Sequence, residues 1–174
     1  MTERKVSLKA CGLGAAKRRR RPWRAANVEG RDRESLGVVP RDFLRKLGAK
    51  AGDPILVPEA DLTPFVAGAR VLRRIPKQGK VHGVLFRVRR PEDLSRDLAT
   101  YRRAIEEDGF LWVVIPKKTA RKAFGRSLTF EDVLDVALRT DLVDNKTLTF
   151  SDAEYGVRLV IRKHLRGGGP ERSR

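Results

Sequence analysis

The chain has 174 residues, of which 40% are hydrophobic, and its net charge at neutral pH is +17. This length fits one domain with tails, and an excess of positive charge favours polyanionic partners such as RNA, DNA or the ribosome. The single cysteine, Cys11, excludes a disulfide framework within the chain. The sequence lacks an apolar stretch long enough to cross a membrane and a secretory signal, which predicts a cytoplasmic protein.

Residues 1–34 lack a sustained hydrophobic period, and adjacent cations in this segment repel one another. We therefore predict a disordered basic arm over 1–34, an α/β domain over 35–163 and a flexible basic tail over 164–174. The arm could follow a phosphate backbone while its tryptophan stacks on a base, act as a nuclear-import signal, or be a solvated tail without function. The candidate nucleic-acid contacts in the arm are Lys17, Arg18, Arg19, Arg20, Arg21, Trp23 and Arg24.

Short elements are predicted in the first part of the domain. Residues 40–48 have Pro at the first helical position and Gly just past the end, a pattern typical of a short helix. A strand over 54–57 follows. Thr63 is placed to cap a helix that Pro64 begins, and residues 71–75 read as a weak strand.

The middle of the chain predicts a strand, a helix and a second strand. Residues 81–88 form the first strand. The helix begins at Pro91, carries an apolar stripe at helical spacing and ends at residues 108–109. Residues 110–115 are a continuous apolar run, as expected of a parallel strand that is buried on both faces. This order predicts a right-handed crossover unit.

The last part of the domain predicts a helix and a hairpin. Thr129 is the expected N-cap, with Asp132 in a capping-box position. Residues 143–150 and 157–162 read as strands joined by a turn short enough for an antiparallel hairpin. The inward face of the helix is predicted to carry Val133, Leu134, Ala137 and Leu138.

Two sequence blocks stand out between residues 37 and 163: Leu111-Trp112-Val113 with Pro116-Lys117-Lys118, and Leu142-Val143-Asp144-Asn145-Lys146. They resemble the strongest motifs of an uncharacterised bacterial family, a domain of unknown function. The chain has Glu154-Tyr155 where that family usually has Trp-Ser, and Thr147-Leu148 where it often has Cys. The resemblance implies no established activity. Further blocks of the resemblance are Gly109-Phe110, Thr119, Leu128-Thr129, Asp132-Val133, Gly156-Val157-Arg158-Leu159-Val160 and, more weakly, Lys46-Leu47-Gly48 with Gly52.

The element order in the C-terminal half also resembles a Rossmann-like methyltransferase, in which such a hairpin closes the sheet. The resemblance implies a single three-layer α/β domain with a mostly parallel sheet and a C-terminal antiparallel hairpin. Methyltransferases of this type bind S-adenosylmethionine beside a glycine-rich turn after the first strand. Residues 58–61 of this chain, Pro-Glu-Ala-Asp, contain no glycine there, so we expect no cofactor.

Basic residues follow the buried apolar strand, at the sheet edge where open α/β sheets bind ligands. They could hold phosphates or form a solvated loop. Because no glycine-rich phosphate loop is present, an RNA backbone is favoured over a small nucleotide. The members of this candidate site are Lys117, Lys118, Arg121, Lys122 and Arg126.

Other polar residues offer weaker candidates. Asp144 and Lys146 alternate along one strand and could form a polar site on one face, or an ion pair that orders the sheet. Trp112 is predicted to lie in the core. His82 and His164 have no Cys or second His at ligand spacing, so we expect no metal site and assign no catalytic residue.

These features favour a basic, non-enzymatic α/β protein that binds RNA or the ribosome through phosphate contacts. A divergent or inactive S-adenosylmethionine-dependent methyltransferase-like protein is the first alternative. A protein-interaction module is the second. The sequence leaves the oligomeric state open.

Overall fold

The computed structural model describes residues 42–88, 90–121 and 128–166, which belong to the unit spanning residues 34–174. The predicted arm over 1–34 lies outside the described residues, as do residues 167–174 of the predicted tail. The strands are β1 Pro54–Leu56, β2 Arg70–Leu72, β3 Val81–Arg87, β4 Ile105–Pro116, β5 Leu142–Thr149 and β6 Glu154–Ile161. The α-helices are α1 Phe43–Leu47, α2 Leu94–Ala104 and α3 Phe130–Leu138, and short 3-10 helices span Ala60–Val66, Pro91–Asp93 and Lys163–Leu165.

The strands form one six-stranded sheet in the order β2-β1-β3-β4-β6-β5. Strands β2, β1, β3 and β4 are parallel, whereas β6 runs antiparallel to both β4 and β5. The mostly parallel sheet with a C-terminal antiparallel hairpin is therefore confirmed. The parallel strands all end at one edge of the sheet, which we call the carboxyl edge; the opposite edge is the amino edge.

Both faces of the sheet are covered, as the three-layer prediction requires. Leu94 and Leu98 of α2 and Val133 of α3 pack in the apolar cluster on one face. Phe43 of α1 and Phe65 of the 3-10 helix pack in the cluster on the other face. Apolar residues of the sheet contribute to both clusters, so the sheet forms the middle layer of the core.

Strand β4 is the centre of this core. Its residues from Phe110 to Ile115 are each at most 1% exposed. Trp112 belongs to the core, as predicted, and its indole Nε1 donates a hydrogen bond to the carbonyl oxygen of Leu47 at 2.9 Å. This bond satisfies both a buried donor and a carbonyl at the end of α1, so it fixes the helix against the sheet.

The ends of the helices follow local signals in part. Gly48 ends α1 in the left-handed conformation with φ of 95°, as the Gly beyond the predicted helix indicates. The capping box of Thr129 and Asp132 at α3 is confirmed. The prediction that Leu138 faces inward is wrong: Leu138 is 51% exposed, while Ala137 is buried.

Three boundaries differ from the sequence prediction, and pairing in the sheet explains the last two. The 3-10 helix begins at Ala60 and contains Pro64 rather than beginning there. Helix α2 ends at Ala104, and Ile105 already pairs with Val81 in the sheet. The register between β3 and β4 then shifts before Phe110, so residues 106–109 belong to an irregular strand and not to a helix end.

Among the described residues, no helix has the length and apolar character that crossing a membrane requires.

Candidate functional site

The carboxyl edge of the sheet is dominated by an arginine. Arg87 ends β3, and its Nε and Nη2 donate to the two carboxylate oxygens of Glu154 at 2.7 and 2.6 Å. Its Nη1 donates to Asp61 in the 3-10 helix after β1. Burial alone would lower the pKa of Arg87, but the hydrogen bonds and charges of Glu154 and Asp61 outweigh it and raise that pKa. The guanidinium thus stays charged and satisfied.

Glu154 is the one buried charged or polar side chain among residues 42–88, 90–121 and 128–166. It opens β6 opposite Pro116, so the antiparallel hairpin returns a carboxylate to the edge where β3 ends. No local pattern in the sequence predicts this pair. Only the chain order of the sheet brings Glu154 to Arg87, because 67 residues separate them.

A second arginine closes the turn after β1. Nη1 of Arg73 donates to the carbonyl oxygens of Val57 at 3.0 Å and Glu59 at 3.1 Å. Nη2 of Arg73 donates to the hydroxyl of Thr63 at 2.8 Å. These backbone oxygens lie where the first parallel strand leaves the sheet, and a side chain of this protein already engages them.

The predicted basic site after β4 is present only in part. Lys117 is half-buried and Lys118 is exposed; both directly follow the carboxyl end of β4. A backbone hydrogen bond and a hydrogen bond with Thr129 lower the pKa of Glu131, and the charge of Arg121 adds to this effect. The same charge partly opposes the rise that burial causes in the pKa of Tyr155, so Arg121 interacts with a carboxylate and a phenol of this chain. The remaining members of that predicted site, Lys122 and Arg126, lie outside the described residues.

The prediction that Asp144 and Lys146 share a face of β5 is wrong. Asp144 pairs with Leu159 and Lys146 pairs with Arg158, and the register shifts between the two pairs. Cross-strand partners point to the same face and consecutive residues of β6 point to opposite faces, so the bulge separates the two side chains. Nζ of Lys146 instead donates to the carbonyl oxygen of Lys46 in α1 at 2.8 Å.

A histidine lies among acidic residues at the amino edge. The Nδ1 atom of His82 is 3.2 Å from a carboxylate oxygen of Glu106, and its Nε2 atom is 3.7 Å from Asp53. One ligand atom each from His82, Glu106 and Asp108 lie within 4.8 Å of one another. Gly109 allows the backbones of β3 and β4 to lie close together here, because a Cβ at residue 109 would be 2.8 Å from the carbonyl oxygen of His82.

The fold is that of a Rossmann-like methyltransferase. A protein assigned as a type 11 methyltransferase of Sulfolobus solfataricus superimposes with a TM-score of 0.51 at 10% identity, over 75% of this chain and 94% of that one. A TehB-like S-adenosylmethionine-dependent methyltransferase of Corynebacterium glutamicum gives 0.46 at 13% identity, over 68% and 85% of the two chains. Fibrillarin of Aeropyrum pernix, solved with S-adenosylmethionine bound, gives 0.47 at 13% identity, over 64% and 67%.

No protein-family model and no curated protein matches this sequence. The resemblance to an uncharacterised bacterial family therefore stays a prediction, while the methyltransferase-like topology is established at the level of the fold.

The residues at the carboxyl edge do not fit S-adenosylmethionine. A dinucleotide- or nucleoside-type ligand at this edge needs close approach to the backbone after the first strand, which glycine normally provides. Here the turn holds Pro58 and Glu59, and Arg73 already binds its carbonyl oxygens. Arg87 adds an ion-paired cation beside it, with a side chain that is 16% exposed.

Proposed function

We propose that this chain is a non-enzymatic protein that uses a methyltransferase-type scaffold to bind RNA through phosphate contacts. The observation that carries the proposal is the occupation of the carboxyl edge by Arg73 and Arg87, whose donors engage acceptors of this chain. Both arginines thereby place a cation, paired with groups of this chain, at the edge that holds the cofactor in this fold. The net charge of +17 then belongs mainly to surfaces and to the basic segments of the chain.

The basic surface supports RNA as the partner. Lys117 and Lys118 lie at the carboxyl edge without an acidic partner among the described residues. The cluster from Lys17 to Arg24 adds further cations in the sequence. A polyanion gains free energy at such surfaces by releasing counterions, which requires no base-reading motif.

Binding of a single-stranded RNA against salt concentration tests this proposal on the full chain. We expect affinity to fall with salt by about 0.7 log unit per phosphate contact for each log unit of salt. Replacing both Lys117 and Lys118 with Gln should lower the affinity and the slope.

The matched control replaces Lys77 and Lys80 with Gln, which removes the same charge from exposed positions before β3, near the amino edge. A larger loss from the Lys117 and Lys118 pair supports a localised interface. Absence of binding at about 0.1 M salt, where non-specific association is ordinarily measurable, would refute the proposal.

A second candidate is a divergent S-adenosylmethionine-dependent methyltransferase, which the fold alone favours. Thermal unfolding with S-adenosylmethionine distinguishes the two candidates, because a ligand at 100 times its Kd stabilises the folded state by about 2.7 kcal/mol. A shift in melting temperature at millimolar cofactor would favour the enzyme. An unchanged melting temperature would favour the non-enzymatic protein.

A further inference from the structure

Arg158 lies in the middle of the C-terminal hairpin, beneath the end of α1. In β6 it pairs with Trp112 of β4 and Lys146 of β5. Its guanidinium carbon is 4.9 Å from the centre of the Phe110 ring. On the other side, a Cβ atom at Gly48 would lie 2.6 Å from Nη2 of Arg158. The absence of a side chain at Gly48 therefore makes room for the guanidinium, which also contacts an aromatic face.

Arg158 has no hydrogen-bond acceptor or ion-pair partner among residues 42–88, 90–121 and 128–166, and its Nε atom is buried. The nearby carbonyl groups that end α1 have other donors. Lys146 donates to the carbonyl of Lys46, and Trp112 donates to the carbonyl of Leu47. A half-buried guanidinium is thus held in place by packing while its donors remain available.

This situation differs from that of Arg87 and Arg102. Arg87 forms two hydrogen bonds with Glu154, at 2.7 and 2.6 Å. Nε of Arg102 lies 3.0 and 2.7 Å from the two oxygens of Asp141. Removing a guanidinium from water without an acceptor is unfavourable, and proteins normally compensate for it. The missing acceptor at Arg158 points to a ligand that supplies it.

A second cation adds to the positive charge there. Burial and the charge of Arg166 both lower the pKa of Arg158, and no carboxylate in the described part of the chain counteracts them. Arg166 uses its Nε to donate to the carbonyl oxygen of Ile161 at 2.8 Å. Lys146 lies directly across the hairpin from Arg158. Like charges at this separation destabilise the fold unless an anion lies between or beside them.

We propose that Arg158 and Arg166 form a binding site for a phosphate oxyanion between α1 and the C-terminal hairpin. The planar donor fork of a guanidinium matches two phosphate oxygens, and the negative charge of a phosphate offsets the repulsion between the two arginines. The phosphate could belong to an RNA backbone or be free in solution. The first source rests on the proposed function, whereas the second does not.

Thermal unfolding in inorganic phosphate tests the site, with sodium chloride at equal ionic strength as the reference. The variant is Arg158→Met, which removes the charge and keeps an apolar stem on the Phe110 ring. Phosphate at ten times its Kd should raise the melting temperature of the wild type by about 4 °C through binding. Phosphate also stabilises proteins generally by exclusion from their surface, and the variant should retain only that part.

The matched control is Lys163→Gln, which removes one exposed cation near Arg166 in sequence. It should keep the full phosphate effect. Arg158→Met should also be at least as stable as the wild type in chloride, because an uncompensated, half-buried charge is lost. Should that variant fail to fold, Arg166→Gln provides the same comparison. An equal phosphate effect in the wild type and in the arginine variant would overturn the proposal.

RNA binding by the same proteins identifies the source of the phosphate. If Arg158→Met lowers the salt slope by about 0.7, one contact with single-stranded RNA is lost and the site binds the backbone. If RNA binding is unchanged but the phosphate effect disappears, the site binds free phosphate. If the wild type binds no RNA and still shows the Arg158-dependent phosphate effect, the proposed RNA binding is refuted and the phosphate site is supported.

Discussion

Both oxygens of Glu154 accept hydrogen bonds from Arg87, and the side chains are only 8% and 16% exposed. The pair joins the end of β3 to the start of β6 at the carboxyl edge. A buried ion pair is weak support for stability in itself, since desolvation offsets its attraction, but breaking it leaves an uncompensated charge. The effect of substitution should therefore depend on whether one partner or both are removed.

We expect Glu154→Gln to lower the free energy of unfolding by ~3 kcal/mol, the low end for a broken buried pair because Asp61 still contacts Arg87. Chemical denaturation measures this change. Asp152→Asn removes an exposed carboxylate from the same hairpin and should change stability by less than about 0.5 kcal/mol. A double change, Arg87→Met with Glu154→Leu, should cost less than Glu154→Gln alone; a larger cost would contradict this account.

The Phe110 ring covers Gly83 on the neighbouring strand, and a Cβ at Gly83 would lie 2.4 Å from two ring atoms. Gly83→Ala should thus destabilise the protein by about 2 kcal/mol through overpacking. Phe110→Leu in the same chain removes the ring that collides. The double variant should lose less stability than the sum of the single variants, as measured in a double-mutant cycle. Strict additivity would show that the ring is not the obstacle.

The capping box at α3 predicts different effects for two threonines. Thr129→Ala removes the acceptor for the backbone N–H of Asp132 and should cost about 1 kcal/mol in denaturant unfolding. Thr100, whose hydroxyl donates to the carbonyl of Arg96 within α2, serves as the comparison. Thr100→Ala should be neutral or slightly stabilising, because alanine has the higher helix propensity. Equal losses at both positions would argue against the cap.

Ionisation of Tyr155 should depend on Arg121. Burial raises the pKa of Tyr155 above its ordinary value, while the charge of Arg121 partly opposes that rise. In a Tyr101→Phe background, the phenolate absorbance of Tyr155 should appear at higher pH than for a free tyrosine. Arg121→Gln should move it higher still. A midpoint at or below about 10, the value of an unperturbed tyrosine, would contradict the structure.

The raised pKa of Tyr155 also predicts how the stability of the protein changes with pH. The neutral form of Tyr155 is favoured in the folded state, so the unfolded chain loses the proton first as pH rises. The contribution of Tyr155 to the free energy of unfolding is therefore complete below the unfolded pKa of about 10 and declines as pH rises through the folded pKa. Tyr155→Phe should show a smaller decline in melting temperature above that pH than the wild type.

Local patterns were sufficient for much of the fold. The apolar run that contains Trp112 indicated a strand buried on both faces, and β4 is such a strand. Glycine after α1 and the Thr129 cap of α3 were also read correctly, because these signals act within one turn of the chain.

Features that depend on pairing between distant strands were not predictable in this way. The bulge between Asp144 and Lys146 exists only because β5 aligns with β6, and it moves the two side chains to opposite faces. The pairing of Ile105 with Val81 likewise ends α2 early. Period-two and period-3.6 patterns carry no information about register shifts.

The candidate sites also depend on contacts between distant parts of the chain. Arg87, Arg73 and Arg158 are ordinary cations in the sequence, and nothing local separates them. Their chemical difference arises in the fold, where Arg87 meets Glu154, Arg73 meets backbone carbonyls and Arg158 meets no acceptor in the described part of the chain. Charge counts therefore predicted a polyanion partner without indicating which arginines are free to bind it.

The hydrogen bond from Lys146 to the carbonyl of Lys46 spans 100 residues of sequence. During synthesis, α1 leaves the polypeptide exit tunnel long before the strand that secures its last turn has been made. With five residues, α1 is too short to persist alone. Phe43 can pack early against Phe65, but the cluster that buries Phe43 and Leu47 also includes Phe150 and Val160, so α1 should reach its final stability only after the hairpin has been made.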